Sequence, residues 1–201
     1  MKRIMIVLVL LALLLPIAAW ADVIDLTNKS GTITFTEAGV VTTGSELMSF
    51  NGIQAPKGHS LGKVSFSTGA FTGASLWTGG TFSSVGSSFD VTGVGMYGEP
   101  KGAIFAGAFV GPISWTVVSH DHTKYIFQLS GAIAGEIWTG RSVTGTTTQI
   151  IYAYTNQYPT DHKGGIHLGN TQLTVPEPGT LGLLGTGLLG IAGTLRRKLL
   201  G

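Results

Sequence analysis

Residues 113–117 read Ile-Ser-Trp-Thr-Val, and residues 125–129 read Tyr-Ile-Phe-Gln-Leu. In the first stretch Ile113, Trp115 and Val117 fall on one side of an extended chain, and Ser114 and Thr116 fall on the other. That period of two marks a half-buried strand. The second stretch, like Gln149-Ile150-Ile151-Tyr152-Ala153-Tyr154, is apolar on both faces, as expected of more central strands. The same alternation recurs in Ile33-Thr34-Phe35-Thr36, Val64-Ser65-Phe66-Ser67 and Phe89-Asp90-Val91-Thr92. Turn signals separate these runs: Gly79-Gly80, Gly93, Gly98-Glu99-Pro100, Gly111-Pro112, His120-Asp121-His122, Gly140 and Gly164-Gly165. No stretch between 22 and 175 holds a 3.6-residue apolar period. The expectation is an all-β fold, a single antiparallel β-sandwich or β-barrel of about eight to ten strands.

Composition agrees. Residues 22–175 contain 22 Thr and 24 Gly, suited to pleated surfaces and tight turns respectively. Residues 68–93 are rich in Ser, Thr and Gly, which allows a disordered reading. The regular anchors Phe71, Leu76, Trp77, Phe82, Phe89 and Val91 argue against it. The chain has no cysteine, which excludes disulfides, thiolate metal sites and thiol nucleophiles. The whole sequence is formally +2. Between 22 and 175, however, seven basic residues face nine acidic ones, so this part is formally −2. The basic excess belongs to the two ends, and a nucleic-acid partner loses its main support.

The ends read as processing segments. Met1-Lys2-Arg3 is a basic start, Ile4 to Leu15 is an apolar run, Pro16 breaks it, and Ala19-Trp20-Ala21 is a small-x-small cleavage site. Residues 1–21 are therefore expected to be a helical signal peptide recognised by the secretion machinery, with Ala19 and Ala21 forming the signal-peptidase site. An uncleaved N-terminal anchor is the alternative. At the other end, Val175-Pro176-Glu177-Pro178 precedes an uncharged run over 179–195 and the basic cluster Arg196, Arg197 and Lys198. The two prolines resist helix and central strand alike. As a helix the run would rise about 25 Å at ~1.5 Å per residue, slightly short of a ~30 Å hydrocarbon core. Gly182, Thr186, Gly190 and Thr194 would line one small-residue face. The basic cluster would stop transfer and stay cytoplasmic. Read from the residues alone, this tail is either a permanent single-pass anchor or a temporary one.

The segment from 175 to 200 closely resembles the PEP-CTERM sorting signal of Gram-negative bacteria: Val-Pro-Glu-Pro, a Leu/Gly-rich span, then Arg-Arg-Lys. Three unlike elements stand in the right order, and a short Leu-Leu-Gly follows them. The resemblance covers about an eighth of the chain. It implies recognition by an exosortase, a membrane-embedded enzyme with a cysteine nucleophile that cuts near Pro-Glu-Pro. It also implies passage from an inner-membrane-anchored precursor to the cell surface or medium, often in bacteria that make exopolysaccharide and biofilm. The expected organisation is thus a signal peptide over 1–21, a β-rich extracytoplasmic domain over 22–174, and a sorting signal over 175–201.

Chemistry inside the domain is sparse. His120 and His122 would share a strand face and are candidate metal ligands, and Asp161-His162 with His167 forms a second cluster. Zinc needs three or four converging ligands, and an exposed hairpin turn suits His-Asp-His equally well. No metal or cofactor is expected. No G-x-S-x-G elbow marks a nucleophile. Asp90, Glu99, Asp121, Glu136 and Asp161 could supply a carboxylate pair, but most sit beside Gly or Pro, where an exposed turn is the ordinary role. Gly93-Val94-Gly95 lacks the strand-to-helix setting of a phosphate loop. Asn28-Lys29-Ser30 fits a glycosylation triplet that most bacteria do not use.

Three segments echo one another: Gly69-Ala70-Phe71-Thr72-Gly73, Gly107-Ala108-Phe109-Val110-Gly111 and Gly131-Ala132-Ile133-Ala134-Gly135. The first and third extend to Leu76-Trp77-Thr78-Gly79 and Ile137-Trp138-Thr139-Gly140. Their unequal offsets argue against a solenoid or propeller. Trp77 and Trp138 are either core residues or stacking platforms for sugar. The expected function is a non-catalytic, exosortase-processed structural protein of the cell surface or exopolysaccharide matrix. Its expected partners are the processing enzyme, the secretion machinery, the membrane through its temporary anchor, and exopolysaccharide. A binding module for carbohydrate or a small apolar ligand is the alternative, through Trp77, Trp115, Trp138, Tyr152, Tyr154 or Tyr158. A secreted hydrolase is a third reading.

Overall fold

The computed structural model describes residues 22–121, 124–154 and 162–176. The expected signal-peptide helix, the expected 179–195 helix, His122, Tyr158 and Asp161 lie outside them. Among the described residues there is no helix, and 73% are in strands. The strands are β1 (Asp22–Lys29), β2 (Thr32–Thr36), β3 (Gly39–Thr43), β4 (Ser45–Phe50), β5 (Ile53–Gln54), β6 (Gly62–Ser67) and β7 (Phe71–Ser75). They continue with β8 (Gly79–Phe82), β9 (Ser88–Gly93), β10 (Gly102–His120), β11 (Lys124–Ile137), β12 (Ser142–Tyr154) and β13 (Lys163–Val175).

Of the two expected architectures, the chain adopts the barrel. The long strands β10 to β13 form one antiparallel wall. Shorter strands close it: β13 pairs with β2, β2 with β3, β3 with β6, β6 with β9 and β9 with β10, completing an eight-strand ring. This opposite wall has two tiers. Toward the rim where the chain enters, β1 and β4 bridge β13 and β6. Toward the far rim, the β7–β8 hairpin attaches to β10 at Ile113–Trp115 and to the β2–β3 turn through the Phe71 N–H and the Glu37 carbonyl.

Two expected breaks lie inside strands. Gly111-Pro112 sits within the 19-residue β10, where pairing with β11 skips from Val110↔Ala132 to Ser114↔Ser130. Two extra residues on one strand make a bulge. Gly111 takes φ +76° there, and Pro112 has no N–H to lose from the ladder. Gly164-Gly165 likewise lies within β13. The echoing segments also find places. The 107–111 and 131–135 copies lie opposite one another on β10 and β11, with Phe109 facing Ile133. The two Trp-Thr-Gly copies form the connections after β7 and β11.

Eight strands enclose about enough space for side chains to fill, and here they do. Phe35, Phe82, Trp115 and Phe127 form one aromatic group, with Trp115 stacked on Phe127 at 4.4 Å and its Nε1–H donated to the Leu76 carbonyl at 2.7 Å. Phe66, Phe89, Phe105 and Phe109 form a second. One polar knot interrupts this interior. The buried Asn28 amide donates to Ser45 Oγ at 2.8 Å and to Gln149 Oε1 at 2.9 Å, and Gln149 Nε2 donates to Thr147 Oγ1 at 2.9 Å. Thr147 in turn bonds Thr171. Each amide is satisfied by another, which burial of such groups demands. Gly169 leaves room for them: a Cβ there would stand 2.1 Å from both Asn28 Oδ1 and Gln149 Oε1. The Asn28-Lys29-Ser30 triplet therefore offers no accessible amide in the folded barrel.

Candidate functional site

The processing junction comes first. Val175 is the last residue of β13 and is only 3% exposed, so it belongs to the core as well as to the motif. The compact β unit spans Val23–Val175. Pro176 follows and is exposed. The final strand thus leads to an exposed Pro176, and among the described residues the buried core ends at Val175. Glu177, Pro178, the 179–195 run and Arg196, Arg197 and Lys198 lie outside the described residues, as do Ala19 and Ala21.

The described histidines do not gather. His120 stacks on Tyr125 at 5.2 Å, His162 packs on Phe35 and Trp77, His59 approaches Tyr97, and His167 stacks on Tyr152 at 4.4 Å. Among the described residues no three His, Asp or Glu side chains converge as a metal site.

The carboxylates divide in two. Asp90 and Glu136 lie on either side of Ala106 in one cross-strand row, β9–β10–β11. Two strand spacings put their backbones about 10 Å apart on the convex outer wall. Burial raises the Asp90 pKa. Glu99 instead ties its own loop: Oε1 accepts the Met96 N–H and Oε2 the Tyr97 N–H, each at 3.0 Å. Burial pushes its pKa up. The N–H groups of Glu99, Met96, Tyr97 and Gly95 outweigh that and leave it below the ordinary 4.5. A carboxylate with a depressed folded pKa contributes stability above its unfolded value, and that stability is lost as pH falls through the folded value. Glu99→Gln should therefore lower the melting temperature at pH 7, and the gap from wild type should close progressively below about pH 4.5. Melts at pH 7, 5 and 3 check this, and a gap independent of pH would refute it. Asp90 acts in the opposite direction but is common to both proteins.

The tryptophans separate by burial. Trp115 is in the core at 1% exposure. Trp77 is half-buried, edge-on to Phe35 and Tyr125 at the far rim. Trp138 is 43% exposed and edge-on to Phe50 at the rim of entry. Sequence reasoning overlooked the outward row at the far end of the long wall. There Lys124 Nζ sits 3.5 Å from the centroid of the Tyr152 ring, which also stacks with His167, and Tyr154 is 60% exposed. Tyr152 and Tyr154 were legible as an alternating pair, whereas Lys124 and His167 join them only through strand pairing.

The last strand of the all-β barrel leads directly into Pro176-Glu177-Pro178. Residues 174–198 match the family model of the PEP-CTERM protein-sorting motif. The chain carries that signal, which makes it an exosortase-targeted exported protein with a membrane-anchored precursor. No curated protein and no solved structure matches the chain significantly. Among the described residues no helix is long and apolar enough to cross a membrane.

Proposed function

We propose that the mature chain is a non-catalytic structural protein of the cell surface or extracellular polysaccharide matrix, released or displayed after cleavage at both ends. The observation that carries this reading is the coincidence of the core's last residue, Val175, with the start of the sorting motif. Among the described residues, cutting after it removes no buried side chain. The filled interior supports a role carried by the outer surface, and it counts against a small apolar ligand held inside. A secreted hydrolase gains little: Asp90 and Glu136 share a row on a convex wall, and Glu99 is occupied with its own loop.

Carbohydrate binding is the second reading, and the exposed aromatic row at Tyr152 and Tyr154 favours it. It joins the first reading if the matrix polymer is the ligand. Intact-mass measurement of the protein exported by its native host tests the proposal. The expected mass begins near Asp22 and ends near Pro176–Pro178. A mass that retains residues 179–198 would leave a permanent anchor and overturn the processing half.

A further inference from the structure

Strand pairing builds a small basic and aromatic platform at the far rim. Tyr152 on β12 faces Ile126 on β11 and Gly165 on β13. Lys124 reaches its ring from the β11 side and His167 from the β13 side, so the ring is held between strands on either flank. Tyr154, two residues on, shares the same outward face. Among the described residues no ring or cation packs on it.

Beside this row lies a shallow groove of about 420 Å³, lined by Lys29, Ser30, Tyr152, Tyr154, Gly165 and neighbouring β13 residues. Among the described residues no carboxylate lines it. Lys29 stands at its edge, across the ladder from Glu46 but in no ion pair with it. Gly165 leaves space at the groove wall: among the described residues a Cβ there would meet the Gly31 carbonyl oxygen at 3.6 Å, an ordinary van der Waals contact. An exposed ring offers a face for the C–H side of a sugar, and ammonium groups add attraction for anionic oxygens.

We propose that this groove binds an acidic polysaccharide, a chain of uronate-type sugars. Tyr154 stacks on a ring, and Lys124 and Lys29 meet the carboxylates. A nucleic acid is the poorer fit, because two lysines make no continuous phosphate track and the barrel is net negative. The assignment rests on the matrix reading above only for where such a polymer is met.

The test is affinity electrophoresis of the exported protein, as recovered from its cells, in gels containing polygalacturonate, neutral dextran or single-stranded oligonucleotide. Wild type should be retarded by polygalacturonate, and retardation should fall with added salt. Tyr154→Ala and Lys124→Gln should each weaken binding about five- to tenfold, the size of one good aromatic or charged contact. Gly165→Val should block the groove while leaving the melting temperature within about 2 °C, since the site has room and valine favours strands. Absence of retardation, equal retardation by dextran, stronger retardation by the oligonucleotide, or variants that bind like wild type would each overturn the proposal. Processing, read separately by mass, stands or falls independently of these outcomes.

Discussion

Replacing Pro176-Glu177-Pro178 with three alanines is expected to strand the chain in the inner membrane and to abolish its appearance in the medium almost completely. The prolines fix their own φ, deny an N–H and push the preceding residues toward extended backbone. They keep β13 from running on and would keep any helix over 179–195 from running back. Alanine removes both restraints and also erases the acidic side chain between them. The barrel itself should be indifferent, because Val175 is its last buried residue. Fractionation and intact mass check the result, and a melt of the membrane-retained chain checks that its fold persists. Release at the wild-type level would show that the motif is not what the processing enzyme reads.

Trp115→Ala should have the largest effect on the barrel itself. The indole is 1% exposed, stacks on Phe127 at 4.4 Å, touches Phe35 and Phe82, and satisfies its N–H on the Leu76 carbonyl. Removal leaves a cavity in a closed wall that cannot collapse easily, and it orphans a buried carbonyl. Such truncations cost about 3–5 kcal/mol, which lowers the melting temperature by roughly 10 °C or more for a domain this size. Trp138→Ala is the control. Its ring is 43% exposed and meets Phe50 edge-on, so a loss of about 1 kcal/mol is expected. Equal effects at the two positions would mean that the barrel interior is not packed as described.

How far the sequence reached depends on the range of the interactions concerned. Ile113-Ser114-Trp115-Thr116-Val117 announced its strand because alternation is a property of neighbouring residues. The choice between sandwich and barrel was not local: it turns on β9 pairing with both β6 and β10, which no short window contains. Gly111-Pro112 looked like a turn because the same two residues serve turns and bulges, and only the opposing strand distinguishes them. Asn28 was legible only as part of a glycosylation triplet because its partner Gln149 is 121 positions away. The candidate groove was hidden for the same reason. Its tyrosines alternate visibly, whereas Lys124 and His167 come to Tyr152 from separate strands. The sorting tail was legible because its meaning lies in linear order.

Val23 lines the same surface depression as Gln172 and Thr174, and β1 pairs with β13. Within the described β unit the polypeptide therefore begins and ends at one mouth of the barrel, and Tyr154 and Lys124 stand at the other. Antiparallel pairing of the long wall gives the barrel a stem end, where the described chain starts and stops, and a working end that carries the exposed aromatic row.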